Sequence, residues 1–248
     1  MGLQDFDDRK EAEPVNLVKR LTALIAAVIL IMGVSGCMEK NEVSAVERMV
    51  AHLNDRYDDT FAYAEPFGGG AGANSKQIIC SSEKYPGAQV VVTLYRDADG
   101  LEHIADNYMG VKYEARTRSA LEEILEDTFG VEYRLFYQVS LTHCTEGASN
   151  EMSFESYASQ RSSGIGFTAV VDSSYAVDRA QVESALEQAF RDAGICCTQA
   201  VVYFNGGQLA LEEIRADMIT GYLTKEQYAH RLEILMDSTE GFASVKWR

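Results

Sequence analysis

Residues 178–204 read DRAQVESALEQAFRDAGICCTQAVVYF and contain a complete helix-to-strand unit. Asp178 is a suitable helix N-cap, because its carboxylate can accept the backbone N–H of Gln181, and Gly194 is a suitable helix end. The residues between these two ends place apolar side chains on one stripe: Val182, Ala185, Leu186, Ala189, Phe190 and Ala193. The stretch therefore predicts an amphipathic helix that is followed by a strand over residues 197–204.

A similar unit lies 65 residues earlier in the chain. Its Ser119-Ala120-Leu121-Glu122 matches Ser184-Ala185-Leu186-Glu187, and its helix ends at Gly130 before a strand predicted over residues 132–140. The two units are either divergent copies of one α/β building block or two amphipathic helices that look alike by chance. A polar stretch over residues 142–153 is the best boundary between them. We therefore expect an N-terminal α/β half over residues 42–145 and a C-terminal α/β half over residues 146–248.

Turn and periodicity signals assign the rest of the chain. Asp97-Ala98-Asp99-Gly100 predicts a hairpin turn between strands over residues 89–95 and 101–105. A glycine-rich loop is predicted over residues 61–76. The other predicted elements are helices over residues 43–57, 108–128, 154–159, 209–220 and 225–237, and strands over residues 77–81, 165–171 and 242–247. Helices and hairpins in separate runs predict an α+β fold with a mixed, largely antiparallel sheet and packed helices.

The N-terminal region contains a second informative stretch, Val34-Ser35-Gly36-Cys37. It follows an apolar run over residues 21–32 in which only Thr22 is polar, and Lys19 and Arg20 precede that run. A basic flank, a short apolar segment and small residues describe a secretory signal peptide. Because a cysteine follows the small residues directly, residues 17–37 resemble the lipobox signal of bacterial lipoproteins.

The resemblance implies a processing route and a location. Residues 1–36 are expected to be removed as a signal peptide by cleavage after Gly36, and Cys37 to carry a diacylglyceryl group, often with a further acyl chain such as palmitate. Residues 37–41 then form a lipid-anchored tether, which holds the protein on the extracytoplasmic face of the cell membrane. An uncleaved anchor is the alternative, although residues 21–36 span only about 24 Å as a helix, against a hydrocarbon core of about 30 Å.

The charge of the mature part limits its partners. Without residues 1–36 the chain has 18 basic and 33 acidic residues, a formal charge of −15. This charge opposes binding to nucleic acid and to anionic lipid headgroups. Because 46% of the residues are hydrophobic and 10% are aromatic, the acidic charge does not indicate disorder.

Four cysteines remain once Cys37 is assigned to lipid: Cys80, Cys144, Cys196 and Cys197. An exported location permits disulfides, so at most two cross-links are expected among these four. Neighbouring residues on a strand point to opposite faces, so Cys196 and Cys197 should not share a partner surface. The alternative is that cysteines such as Cys80 and Cys197 are small buried apolar residues.

The sequence predicts no catalytic, cofactor-binding or metal-binding residues. His143 and Cys144 are the types that form a nucleophilic site, but adjacent residues rarely face each other, and no cysteine peptidase signature surrounds them. Cys196-Cys197 lacks the two-residue spacer of a redox motif. The four histidines have no spacing typical of zinc ligands.

The leading functional hypothesis is a non-enzymatic, membrane-anchored binding module. Its expected contacts are the membrane, through lipidated Cys37, and a protein or other cell-surface component. No nucleic acid is expected. The alternative is a membrane-tethered, hydrolase-like enzyme whose site assembles from residues that are distant in sequence, with His143 and Cys144 as the first candidates. A solute-capturing transporter subunit ranks last, because the chain is small for two lobes around a ligand.

Overall fold

A computed structural model of the chain describes residues 40–68, 75–145, 147–220, 223–224 and 226–248. Gly36 and Cys37 lie outside these residues, as do Gly69, Gly70 and Gly72 of the predicted glycine-rich loop. The described residues form an α+β fold with two sheets, one antiparallel and one mixed, so the predicted fold class is confirmed.

The first sheet is an antiparallel meander with the order β1-β2-β3-β4. Its strands are β1 (Phe61–Pro66), β2 (Ser75–Ser82), β3 (Val90–Arg96) and β4 (Glu102–Asp106), and the helix α1 (Lys40–Arg56) precedes them. The predicted hairpin turn is confirmed, since the Gly100 N–H donates to the Asp97 carbonyl at 3.1 Å. The Asp97 side chain accepts the backbone N–H groups of Asp99 and Leu101, which holds the turn closed.

The second sheet has the order β5-β6-β7-β8-β9. Its strands are β5 (Tyr133–Tyr137), β6 (Gly166–Val171), β7 (Gln199–Asn205), β8 (Tyr228–Ser238) and β9 (Gly241–Trp247). Only β6 and β7 pair in parallel, because the helix α5 (Arg179–Ala193) carries the chain back between them. The helices before α5 are α2 (Tyr108–Lys112), α3 (Glu114–Phe129) and α4 (Phe154–Ala158), and α6 (Ala216–Thr220) follows β7.

The α5 unit has the local structure that its sequence predicts. The Asp178 carboxylate accepts the Gln181 N–H at 3.1 Å, and the helix ends at Gly194, whose φ is +65°. Val182, Leu186 and Phe190 are fully buried. The similar helix α3 ends at Gly130 with φ +60° and packs against α5.

The prediction of a helix over residues 225–237 is wrong, because residues 228–238 form the strand β8. Leu232, Ile234 and Met236 are buried, whereas Leu235 is 46% exposed. This alternation has a period of two residues, and β8 pairs with both β7 and β9. Thr224 and Gln227 have the residue types and spacing of a helix cap, but they form a turn in which the Gln227 N–H donates to the Thr224 carbonyl at 2.9 Å.

Three other expectations differ from the structure. Residues 61–66, expected to be loop, form β1, because they pair with the end of β2. The helix expected over residues 108–128 is interrupted at Tyr113, between α2 and α3. The helix expected over residues 209–220 is a 3-10 turn, Leu211–Glu213, followed by the short α6.

Residues 45–248 form one unit, and the described residues before them, 40–44, belong to the first turns of α1. A continuous core joins α1, both sheets, α3 and α5. A smaller cluster, built around Val201, Tyr203 and Ile214, lies where residues 209–220 and Leu223 cover the other face of the second sheet. The strand β5 pairs with β6, and the division into halves at residue 145 stays a prediction.

Candidate functional site

The structure places the four described cysteines in three separate surroundings. Cys80 lies in β2, Cys144 in the segment between β5 and α4, and Cys196 and Cys197 between α5 and β7. All four are free thiols in the structure, and the cross-links expected from the sequence stay a prediction. Cys80, Cys196 and Cys197 are buried, whereas Cys144 is half-buried.

Burial makes the described thiols poor nucleophiles. It raises the pKa of Cys144 to about 11, and those of Cys80 and Cys197 to about 12. Because the thiolate is the reactive form, very little of it is present at neutral pH.

His143 and Cys144 make different contacts. The His143 Nδ1 atom lies 2.9 Å from the Ser140 hydroxyl, and the Cys144 Sγ atom lies 3.7 Å from the Thr93 hydroxyl. The His143 ring also packs against Gly164, where an added Cβ would lie 2.4 Å from the ring Cγ atom. The two side chains therefore pack against different neighbours: His143 against Ser140 and Gly164, and Cys144 against Thr93.

A buried carboxylate that the sequence analysis missed lies at the end of β4. Asp106 is fully buried, and its Oδ1 atom accepts the Tyr57 hydroxyl at 2.9 Å and the Tyr108 N–H at 3.0 Å. Its Oδ2 atom has no hydrogen-bond partner among the described residues, but the His52 Nε2 atom lies 3.6 Å away. Arg56 Nη1 lies 3.0 Å from the same His52 atom. The sequence analysis missed this position because Tyr57 and His52 lie about 50 residues before Asp106 in the chain.

A second carboxylate, Asp59, joins the elements around this position. It accepts the hydroxyls of Ser82 and Tyr108 and the backbone N–H groups of Thr60 and Lys84. Partial burial acts to raise the pKa of Asp59, but these four hydrogen bonds outweigh it and lower the pKa below its usual value. Asp59 thus ties the end of β2 to α2.

Two histidines lie near carboxylates: His103 is 2.7 Å from Asp97 at the surface, and His52 is 3.6 Å from the buried Asp106. A buried carboxylate beside a half-buried imidazole is the combination that orients a histidine in many hydrolases. However, the 3.6 Å separation exceeds a hydrogen bond, and Arg56 occupies the same nitrogen. Three clefts on the surface, with volumes of about 550, 980 and 530 Å³, are lined by other residues.

The described part of the chain contains no cluster of His, Cys, Asp and Glu side chains arranged to bind a metal ion. Within the same residues, every helix is too short or too polar to cross a bilayer.

Comparisons with known proteins include one distant structural likeness. No family model matches the chain, and no curated protein matches it. The crystal structure of a DUF5037 family protein from Ruminococcus gnavus is 14% identical in sequence, and the match covers 81% of this chain and 94% of that chain. Its TM-score is 0.35, and we base neither fold nor function on it.

Proposed function

We propose that this protein is a lipid-anchored module on the extracytoplasmic face of a bacterial membrane, where it works by binding a protein or another surface component. The observation that carries this proposal is the run from Lys19 to Cys37, in which an apolar segment ends in small residues and a cysteine. Two or more acyl chains on one cysteine hold a protein stably at a membrane, whereas one chain does not.

The described body supports a binding role over a catalytic one. Burial raises the pKa values of its Cys80 and Cys144 thiols, which disfavours the nucleophilic thiolate, and Asp59 and Asp106 hold strands and helices together. The strongly acidic mature part opposes binding to nucleic acid, and its charge suits a cationic partner.

The anchor is tested by feeding an alkyne-tagged palmitate to bacteria that express the full chain. Wild type is expected to take up the label and to leave the membrane fraction only with detergent. Cys37→Ala is expected to lose the label and the membrane association, because the proposed lipid is attached to the Cys37 thiol. The matched control is Cys144→Ala, which removes a half-buried thiol elsewhere in the chain and should keep both properties. Unchanged labelling of Cys37→Ala would overturn the proposal.

A membrane-tethered hydrolase is the second candidate, and the His52–Asp106 pair favours it. In that role Asp106 closes its 3.6 Å separation from His52 Nε2 and takes the place of Arg56 there, and His52 removes a proton from the attacking group. Hydrolysis of p-nitrophenyl acetate by the purified chain tests this role. Both His52→Gln and Asp106→Asn must abolish such activity, whereas His103→Gln, at the exposed pair with Asp97, must leave it unchanged. An activity that survives both changes excludes this site.

A further inference from the structure

The strand β5 is an edge of the second sheet and borders an open groove. The β5 groove is lined by residues 130–135, by Glu122 and Glu126 of α3, and by Leu211 and Glu212, and its volume is about 980 Å³. A sheet edge presents a row of backbone N–H and C=O groups that can pair with another strand. The groove therefore lies beside the edge of the sheet and has space for another strand.

The pairing of β5 identifies which backbone groups face the groove. The Asp172 N–H donates to the Glu132 carbonyl at 2.9 Å, so the backbone of Glu132 points toward β6. Backbone direction alternates along a strand, so Tyr133, Leu135 and Tyr137 point away from β6. Arg118 donates to the Tyr137 carbonyl at 2.9 Å from that outer side, which agrees with this assignment. Among the described residues, no backbone hydrogen bond joins the outward N–H and C=O groups of Tyr133 and Leu135.

The rim of the groove is acidic. It has the carboxylates of Glu122, Glu126, Glu132 and Glu212, all of them exposed. The only cation among the lining residues is Arg134, and its guanidinium donates to the carbonyls of Leu211 and Glu212. Negative charge on both sides of a free strand edge favours a segment that brings positive charge with its backbone.

We propose that the β5 groove binds an extended, Lys- or Arg-rich segment of a partner protein, which adds a strand to the second sheet beside β5. Backbone hydrogen bonds to Tyr133 and Leu135 supply the pairing, and the rim carboxylates select cationic side chains. This inference rests on the proposed binding function and names its surface and the chemistry of its partner.

A second copy of the chain is a poor occupant for this groove. Edge-to-edge pairing would bring together two identical acidic rims on bodies that each have a formal charge of −15. The charges that repel another copy are the ones that attract a basic strand. They also protect an exposed edge from aggregation.

The test measures binding of a fluorescent heptapeptide of alternating Lys and Thr to the purified full chain in detergent, by fluorescence anisotropy. The wild-type chain is expected to bind it, and more weakly as salt rises. The same peptide with every amide nitrogen methylated keeps its charges but has no N–H donors, so its affinity should fall at least about tenfold. Leu135→Pro, which removes an outward N–H, should cause a similar loss.

Matched variants of α3 test the charge requirement. Glu122→Gln with Glu126→Gln should weaken binding about tenfold, as expected for two rim ion pairs. Glu123→Gln with Asp127→Asn changes the charge of the same helix equally, on the side that faces α5, and should weaken it less than about twofold. Equal binding of the methylated peptide, equal losses in the two double variants, or no binding by a folded wild type would each overturn the inference. Palmitate labelling of the same preparations reports the anchor separately, so failure of the groove is distinguishable from failure of the proposed function.

Discussion

Gly164 and His143 compete for the same volume, so the side chain at residue 164 has to be a hydrogen atom. Gly164 has φ +64°, and a Cβ built there would lie 2.2 Å from the His143 Cβ atom. Gly194 has nearly the same φ, +65°, but no atom lies within 4 Å of its added Cβ. Comparing the same substitution at the two glycines therefore separates the cost of a left-handed backbone from the cost of a side-chain clash.

Gly164→Ala is expected to destabilise the protein more than Gly194→Ala. Both changes cost about 1 kcal/mol for a left-handed backbone, and the clash with His143 should add about 1–3 kcal/mol at residue 164. Urea unfolding followed by the fluorescence of Trp247, the single tryptophan, measures both free energies. Equal losses would contradict the packing of His143 against Gly164.

Asp59 should make part of the stability depend on pH. Its pKa is lower in the folded protein than its usual 3.8, so the ionised form stabilises the fold at neutral pH. This contribution is lost as the pH falls below 3.8 through the lowered folded pKa. In urea unfolding from about pH 5 to about pH 2, the gap in stability between wild type and Asp59→Asn should shrink as the solution becomes more acidic. A gap that stays constant over this range would contradict the network around Asp59.

At the residue scale, the sequence predicts local contacts and misses distant ones. The Asp178 cap was predictable, because its partner Gln181 is three residues away. Asp106 has one local partner, the Tyr108 N–H, but Tyr57 and His52 lie about 50 residues earlier, so no spacing rule identifies them. Cys144 shows the same limit, because its contact with Thr93 follows from the path of a loop.

At the scale of elements, β8 shows how pairing overrides a local signal. Thr224 and Gln227 resemble a helix cap, and the residues after them suit a helix. The segment forms a strand instead, because it pairs with β7 on one side and β9 on the other. In this strand every second side chain is buried: Leu232, Ile234 and Met236. By contrast, α3 and α5 were predicted because their apolar stripes and glycine ends lie within one segment.

Two neighbouring substitutions distinguish a strand from a helix at β8. Ile234→Ala should cost about 2–5 kcal/mol, because Ile234 is fully buried. Leu235→Ala should change stability by less than about 0.5 kcal/mol, because its side chain lies on the exposed face of the strand. Chemical denaturation of the two variants provides the measurement. A large loss at Leu235 would restore the helical interpretation, in which residues 232, 235 and 236 share a face.

At the scale of the whole molecule, an acidic body follows closely after the proposed lipid site. Residues 37–248 have a formal charge of −15. Since the charge repels anionic headgroups, the acyl chains have to supply the attachment.

Mass spectrometry of the full chain after expression in bacteria and extraction from membranes tests the central claim most directly. The lipid-anchor proposal predicts a chain that begins at Cys37, lacks residues 1–36 and carries the added mass of a diacylglyceryl group on its first residue. An intact chain with unmodified Cys37, recovered from the cytosolic fraction, would contradict it.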